Sequence, residues 1–118
     1  MNNAKISKPK EIIRTTLGEF LSNVKSNYIG IYVVACYPAL GCIYVGKTKR
    51  GVYMRLREHL GSSEGEFGQF LRSVMADACG FRLDILIPHI NTNMDNWLSV
   101  TEEALIKKLK PLTNVMLI

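Results

Sequence analysis

Apolar and polar positions recur along this chain with two different periods, and each change of period marks an element. In residues 8–24, Ile13, Leu17, Phe20, Leu21 and Val24 fall at helical spacing. They predict an amphipathic helix with Pro9 near its first turn, where a missing N–H costs nothing, and with Ser26-Asn27 ending it. Residues 29–37 and 42–46 are rich in Ile, Val and Tyr and flank Pro38-Ala39-Leu40-Gly41, so they predict a β-hairpin around a turn. Gly51 opens a short helix over 51–60, which Gly61-Ser62-Ser63 closes. Phe67, Phe70, Leu71, Val74 and Met75 form one stripe of a third helix over 67–78, and Gly80 stops it. In 81–87, Phe81, Leu83, Ile85 and Ile87 alternate with Arg82, Asp84 and Leu86, the period of a strand with at least one covered face. Residues 91–93 form a loop, 96–110 a last helix broken by Pro111, and a short apolar tail ends at Ile118. The order α-β-β-α-α-β-α predicts an α+β domain, a small sheet covered by helices.

The stretch 26–46 carries no charge, and residues 28–45 are long enough to raise the question of a membrane span. Gly30, Pro38, Gly41 and Gly46, among strand-forming Tyr, Val and Ile, decide for two strands around a turn instead. At 118 residues, 47% hydrophobic and 21% charged, the chain has the composition of one globular domain. Fifteen Lys and Arg against ten Asp and Glu give +5, which leans toward a polyanionic partner without deciding for one. Cys36, Cys42 and Cys79 are odd in number and form no C-x-x-C pair, so neither a disulfide framework nor a zinc ribbon is supported. The polar, basic first ten residues do not read as a secretory signal. The expected location is therefore intracellular, in the cytoplasm.

Four features carry candidate chemistry. If the hairpin pairs even positions with even positions, Tyr32 and Tyr44 project from one face as near neighbours. Tyrosines on an exposed sheet face are the plainer explanation. The run 47–59 holds Lys47, Lys49, Arg50, Arg55 and Arg57 against the single acid Glu58. Its first three cations leave the second strand where side chains reach a phosphate backbone. Arg55 and His59, four apart, share one side of a helix beside Val52, Leu56 and Leu60. In the last helix, Leu98, Leu105 and Leu109 define an apolar stripe; at ~100° per residue Glu102 lies inside it and Glu103 outside. A carboxylate turned toward a core is protonated, paired with a cation, or bound to metal. Pairing with a core-edge arginine is the commoner outcome. Because Glu102 and Glu103 diverge, a metal here would be held by one carboxylate. Finally, Asn114, just past Pro111, is placed to bond a backbone or side-chain group nearby. His89 has no partner pattern.

Together these residues resemble the GIY-YIG nuclease family. Gly30-Ile31-Tyr32 reproduces its first motif and Tyr44-Val45-Gly46 its second, with Val for Ile. Arg55 with His59 is similar to the family's arginine-bearing helix, although one extra residue separates Gly46 from Arg55. Glu102, three residues before Leu105-Ile106-Lys107, is similar to the family's metal-binding glutamate, and Asn114 to its late asparagine. The resemblance spans 30–114. It implies a three-stranded antiparallel sheet flanked by helices, here with an extra N-terminal helix: residues 1–27 as that helix and 28–118 as a nuclease-like domain. It further implies metal-dependent endonuclease activity on DNA, in repair or restriction. Tyr32 would accept a proton from, or position, the attacking water. Tyr44 would bond within the same site, and Arg55 would stabilise the phosphoryl oxygens. His59 would contact the phosphate or Tyr32, and Glu102 would hold one Mg²⁺ or Mn²⁺. Lys47, Lys49, Arg50, Arg57 and Asn114 would bind substrate. The alternative is a DNA-binding module on the same fold, catalytically idle or active only with a partner protein that supplies specificity; a pure interaction domain is a third reading. Oligomeric state is not set by these features.

Overall fold

The computed structural model describes residues 8–23, 27–61, 65–89 and 93–114. Nine elements follow in order: β1 (Glu11–Thr16), α1 (Leu17–Leu21), β2 (Gly30–Cys36), β3 (Gly41–Thr48), α2 (Val52–Gly61), α3 (Glu66–Ser73), α4 (Met75–Ala78), β4 (Arg82–Ile87) and α5 (Met94–Leu109). The sheet has four strands in the order β1-β4-β2-β3, every neighbouring pair antiparallel.

β2 is the spine of this sheet. Gly30 through Ala35 are all buried, which is why this segment reads as an unbroken apolar run instead of an alternation. Tyr32 and Val34 face a core built with Leu17, Phe20, Val52, Leu56, Phe67 and Leu71 from α1, α2 and α3. Ile31 and Val33 face Trp97 and Leu98 of α5. Helices therefore cover both faces, and the sheet lies between two separate hydrophobic clusters. β3 carries a bulge: Val34 pairs with Tyr44 and Ala35 with Cys42, so Ile43 is the extra residue. Ile43 and Tyr44 consequently pack toward the same core while Cys42 and Val45 pack toward α5.

The predicted N-terminal helix is a correction. Residues 11–16 form β1, an edge strand paired in register with β4 from Glu11↔Ile87 to Thr16↔Arg82. Only Leu17–Leu21 is helical, and the sheet has four strands where three were expected. The run Ile12-Ile13-Arg14-Thr15-Thr16 is mostly β-branched, and β4 offers it a free edge. Thr16 then makes the switch, its hydroxyl accepting from the Glu19 N–H at 3.2 Å as the cap of α1. The expected positions Val24 and Ser26 lie outside the described residues, as do Ser62-Ser63, Asn91-Thr92 and the apolar tail.

Other boundaries move less. The single helix expected over 67–78 is two, α3 and α4, separated at Val74, whose φ of −119° and ψ of 28° leave the helical region. The last helix starts earlier than expected because Asn93 caps it, accepting from Asn96 N–H at 3.2 Å. It ends in the left-handed residue Lys110, φ 48°, just before Pro111. The uncharged stretch is the β2–β3 hairpin, and among the described residues no helix is long and apolar enough to cross a membrane.

Candidate functional site

The hairpin register brings the two motif tyrosines together. Tyr32 pairs with Gly46 and Val34 with Tyr44, so the phenols are diagonal neighbours on one face, ring centroids 5.8 Å apart. Gly46 is obligatory there: a Cβ on it would collide with the ring and hydroxyl of Tyr32 and with the Tyr44 ring. Tyr32 is 1% exposed and its hydroxyl lies 3.1 Å from Nε2 of His59, itself 3% exposed. Tyr44 is only half-buried. Phe67 of α3 stacks flat on Tyr44 at 4.2 Å, and His59 meets both rings edge-on. Phe67 is a site residue the sequence did not flag, because an aromatic on a helical stripe reads simply as core.

α2 is aimed by bonds to its first turn. Thr48 Oγ1 accepts from the N–H groups of Arg50 and Gly51, both at 3.1 Å, and the Tyr28 carbonyl accepts from Val52 N–H at 2.7 Å. Asn27 adds a long-range clasp, donating to the Arg50 carbonyl at 3.1 Å. Arg55 and His59 then stand one turn apart facing the tyrosines. Glu58 lies between two guanidiniums, its Oε1 accepting from Arg55 Nη1 at 2.9 Å and from Arg50 Nη2 at 2.7 Å. These hydrogen bonds hold its carboxyl down at about 2.

Glu102 arrives from α5, on the other side of the sheet. It is half-buried beside Leu105 and Leu98, and Lys47 Nζ stands 3.7 Å from its Oε1. The partner expected on general grounds was an arginine; the structure supplies a lysine, at long range. Burial raises the Glu102 carboxyl above the usual range and Lys47 opposes this. Burial also raises Tyr32 and Tyr44, with Arg55 pulling both down and the Glu102 charge pushing both up. His59 is lowered to about 4, by burial first and Arg55 second, against a small opposing pull from Glu58. Arg55 and Glu102 each act electrostatically on the two phenols, and the Tyr32 hydroxyl meets His59. At neutral pH both phenols carry their proton and His59 is neutral.

The outer cations divide. Lys47, beside Glu102, also donates to Ser99 Oγ at 3.1 Å, and Lys49, just past the end of β3, is paired with Asp95 at 2.6 Å. Arg50 reaches the Glu58–Arg55 pair. Arg57 is exposed, and at two residues from Arg55 it leaves α2 on nearly the opposite side, away from the cluster. Asn114 is not turned to a ligand: its Oδ1 accepts from Val45 N–H and its Nδ2 donates to Val45 C=O, both at 2.9 Å. With Leu112 and Thr113 bonded to Cys42 and Ile43, it secures the outer edge of β3 beside Tyr44.

A metal fit is constrained by donor count. Among the described residues no three His, Cys, Asp or Glu side chains come together. The described residues therefore build no tetrahedral zinc site. A half-buried carboxylate with one distant ammonium suits a hard cation that keeps most of its water.

This sheet, with helices on both faces and motif tyrosines paired across β2 and β3, is a GIY-YIG-like fold. It is similar to two crystal structures of the GIY-YIG N-terminal endonuclease domain of UvrC from Thermotoga maritima, tyrosine-to-phenylalanine point mutants each bound to the catalytic divalent cation. The TM-score is 0.54 for both, at 19% and 20% identity, over 79% of this chain and 89% of those chains. No protein-family model matches the sequence, and no curated protein matches it.

Proposed function

We propose that this protein is a GIY-YIG-type endonuclease that hydrolyses phosphodiester bonds in DNA with one Mg²⁺ or Mn²⁺ at Glu102. What supports the proposal is that Tyr32, Tyr44 and His59 pack together, the Tyr32 hydroxyl 3.1 Å from His59 Nε2, and that the charges of Arg55 and Glu102 both bear on the two phenols. The cation-bound state of the similar UvrC domains supports the same reading.

Burial divides the work between the phenols differently from the sequence expectation. Tyr32 is too enclosed to meet a water molecule, so Tyr44 orients the attacking water. Tyr32 and His59 hold Tyr44 in place from behind, and Phe67 fixes its ring. Arg55, released from Glu58 by the incoming phosphate, stabilises negative charge on the phosphoryl oxygens. Glu102 would hold the cation, which when bound would supply Lewis-acid stabilisation of charge at the leaving oxygen. A cation there would also oppose the upward push that Glu102 exerts on Tyr44. Lys47, Lys49 and Arg50 contact the DNA backbone. Asn114 keeps β3 in register and binds no substrate.

Supercoiled plasmid incubated with Mg²⁺, with Mn²⁺ and with chelator tests the reading. Nicking that requires metal and disappears in Glu102→Ala is expected. Cleavage that persists in Glu102→Ala assigns the activity to another protein. Salt-sensitive binding without cleavage of plasmid, branched or single-stranded DNA would leave a DNA-binding module on this fold.

A further inference from the structure

A groove of about 220 Å³ opens between the end of β3 and the N-terminal half of α5, lined by Lys47, Thr48, Lys49, Asp95, Leu98 and Ser99. No residue of the tyrosine cluster lines it. Lys47 links it to Glu102: one ammonium donates to Ser99 Oγ at 3.1 Å on the groove side and stands 3.7 Å from Glu102 Oε1 on the other. The second distance exceeds hydrogen-bond length, so the ion pair is loose and easily exchanged. Across the groove, Lys49 is held by the exposed carboxylate of Asp95 at 2.6 Å. Two ammoniums, the hydroxyls of Thr48 and Ser99 and the exchangeable Asp95 carboxylate thus line the groove with apolar Leu98. That combination suits a phosphodiester with its adjoining sugar.

We propose that this groove binds a backbone phosphate flanking the one to be cut, and that its occupation draws Lys47 off Glu102 and frees that carboxylate for the divalent cation. The proposal rests on the endonuclease reading. Lys47 and the cation compete for one carboxylate, while Glu102 and the phosphate compete for one ammonium. Phosphate and cation therefore favour each other's binding, and by the same factor in both directions. Asp95 acts as the placeholder for the phosphate at Lys49.

The test measures Mn²⁺ binding to the full chain by the paramagnetic resonance of the free ion. It is made alone, with a short DNA duplex, and with inorganic phosphate, and ions held by the DNA itself are subtracted with Glu102→Ala. The duplex is expected to tighten Mn²⁺ about two- to five-fold, the range of one exposed ion pair. Lys47→Met should bind Mn²⁺ that much more tightly without DNA and gain nothing when DNA is added. Lys49→Ala should lower the salt slope of DNA binding by about one, and Lys107→Ala, at the far end of α5, should not. Mn²⁺ affinity unchanged by duplex, or a gain that persists in Lys47→Met, overturns the proposal. A gain from inorganic phosphate with none from duplex overturns the assignment to nucleic acid. All readouts are of binding: plasmid nicking without coupling defeats the groove alone, and coupling without nicking defeats the endonuclease reading alone.

Discussion

Tyr32 and His59 are 1% and 3% exposed, joined by a 3.1 Å bond, and Phe67 closes over the ring beside them; across β3, Lys47, Lys49 and Asp95 are held by ion pairs in open water. The first region is set by packing and hydrogen bonds that folding itself has to satisfy. The second is set by contacts that water and salt weaken and that a charged ligand can replace. A cluster that must present fixed groups to a reaction benefits from the first kind of assembly. A surface that must take up and release a long polyanion benefits from the second. Arg55 stands between them, paired with Glu58 yet in electrostatic contact with both phenols.

The sharpest break of this contrast is Phe67→Ala, which removes a nearly fully buried ring and its stack on Tyr44. We expect a loss of about 3–5 kcal/mol in urea unfolding. A loss below about 1 kcal/mol would show that the tyrosine side is no more rigid than the lysine side.

A smaller effect follows from His59. Its folded value of about 4 lies below the ordinary 6.5, because burial and Arg55 disfavour the charged ring, with Glu58 opposing. The unfolded chain therefore takes up a proton first as pH falls. The stability contributed by the neutral ring is complete above pH ~6.5 and is lost progressively down to pH ~4, about 3 kcal/mol in all. Comparing unfolding free energies of wild type and His59→Asn over that range isolates this slope from the carboxylates. Parallel curves would contradict it. The smallest effect belongs to Lys49→Ala, expected to stay within about 0.5 kcal/mol in stability, since the Asp95 pair is exposed on both sides.

Much of the tyrosine side was legible because strand geometry has a period of two: Tyr32 and Tyr44, both even, had to share a face once the hairpin paired even with even. Glu102 was legible for a related reason, lying within a helical stripe of leucines where a carboxylate needs compensation. β1 was not. Ile13, Leu17, Phe20 and Leu21 satisfy helical spacing, yet the first belongs to a strand and the rest to a five-residue helix, and only the edge of β4 decides between them. The clasp of Asn27 on α2 and the stack of Phe67 on Tyr44 depend on contacts 23 residues apart, and the bulge at Ile43 on how two strands register across their turn. No local pattern reports them. Glu58 stood out as the one acid in a basic run, but its bridging of Arg50 and Arg55 required the helix in place.

The central claim is that the half-exposed phenol orients the attacking water and the buried one supports it. Single-turnover cleavage of plasmid DNA with Mg²⁺, compared among wild type, Tyr44→Phe and Tyr32→Phe, tests it most directly. Removing one preorganised group at the reacting atoms costs about 10²–10³ in rate. The account predicts a loss of that size for Tyr44→Phe and a clearly smaller one for Tyr32→Phe. A wild-type protein that does not cut, or a Tyr44→Phe protein that cuts as fast as wild type, would contradict it.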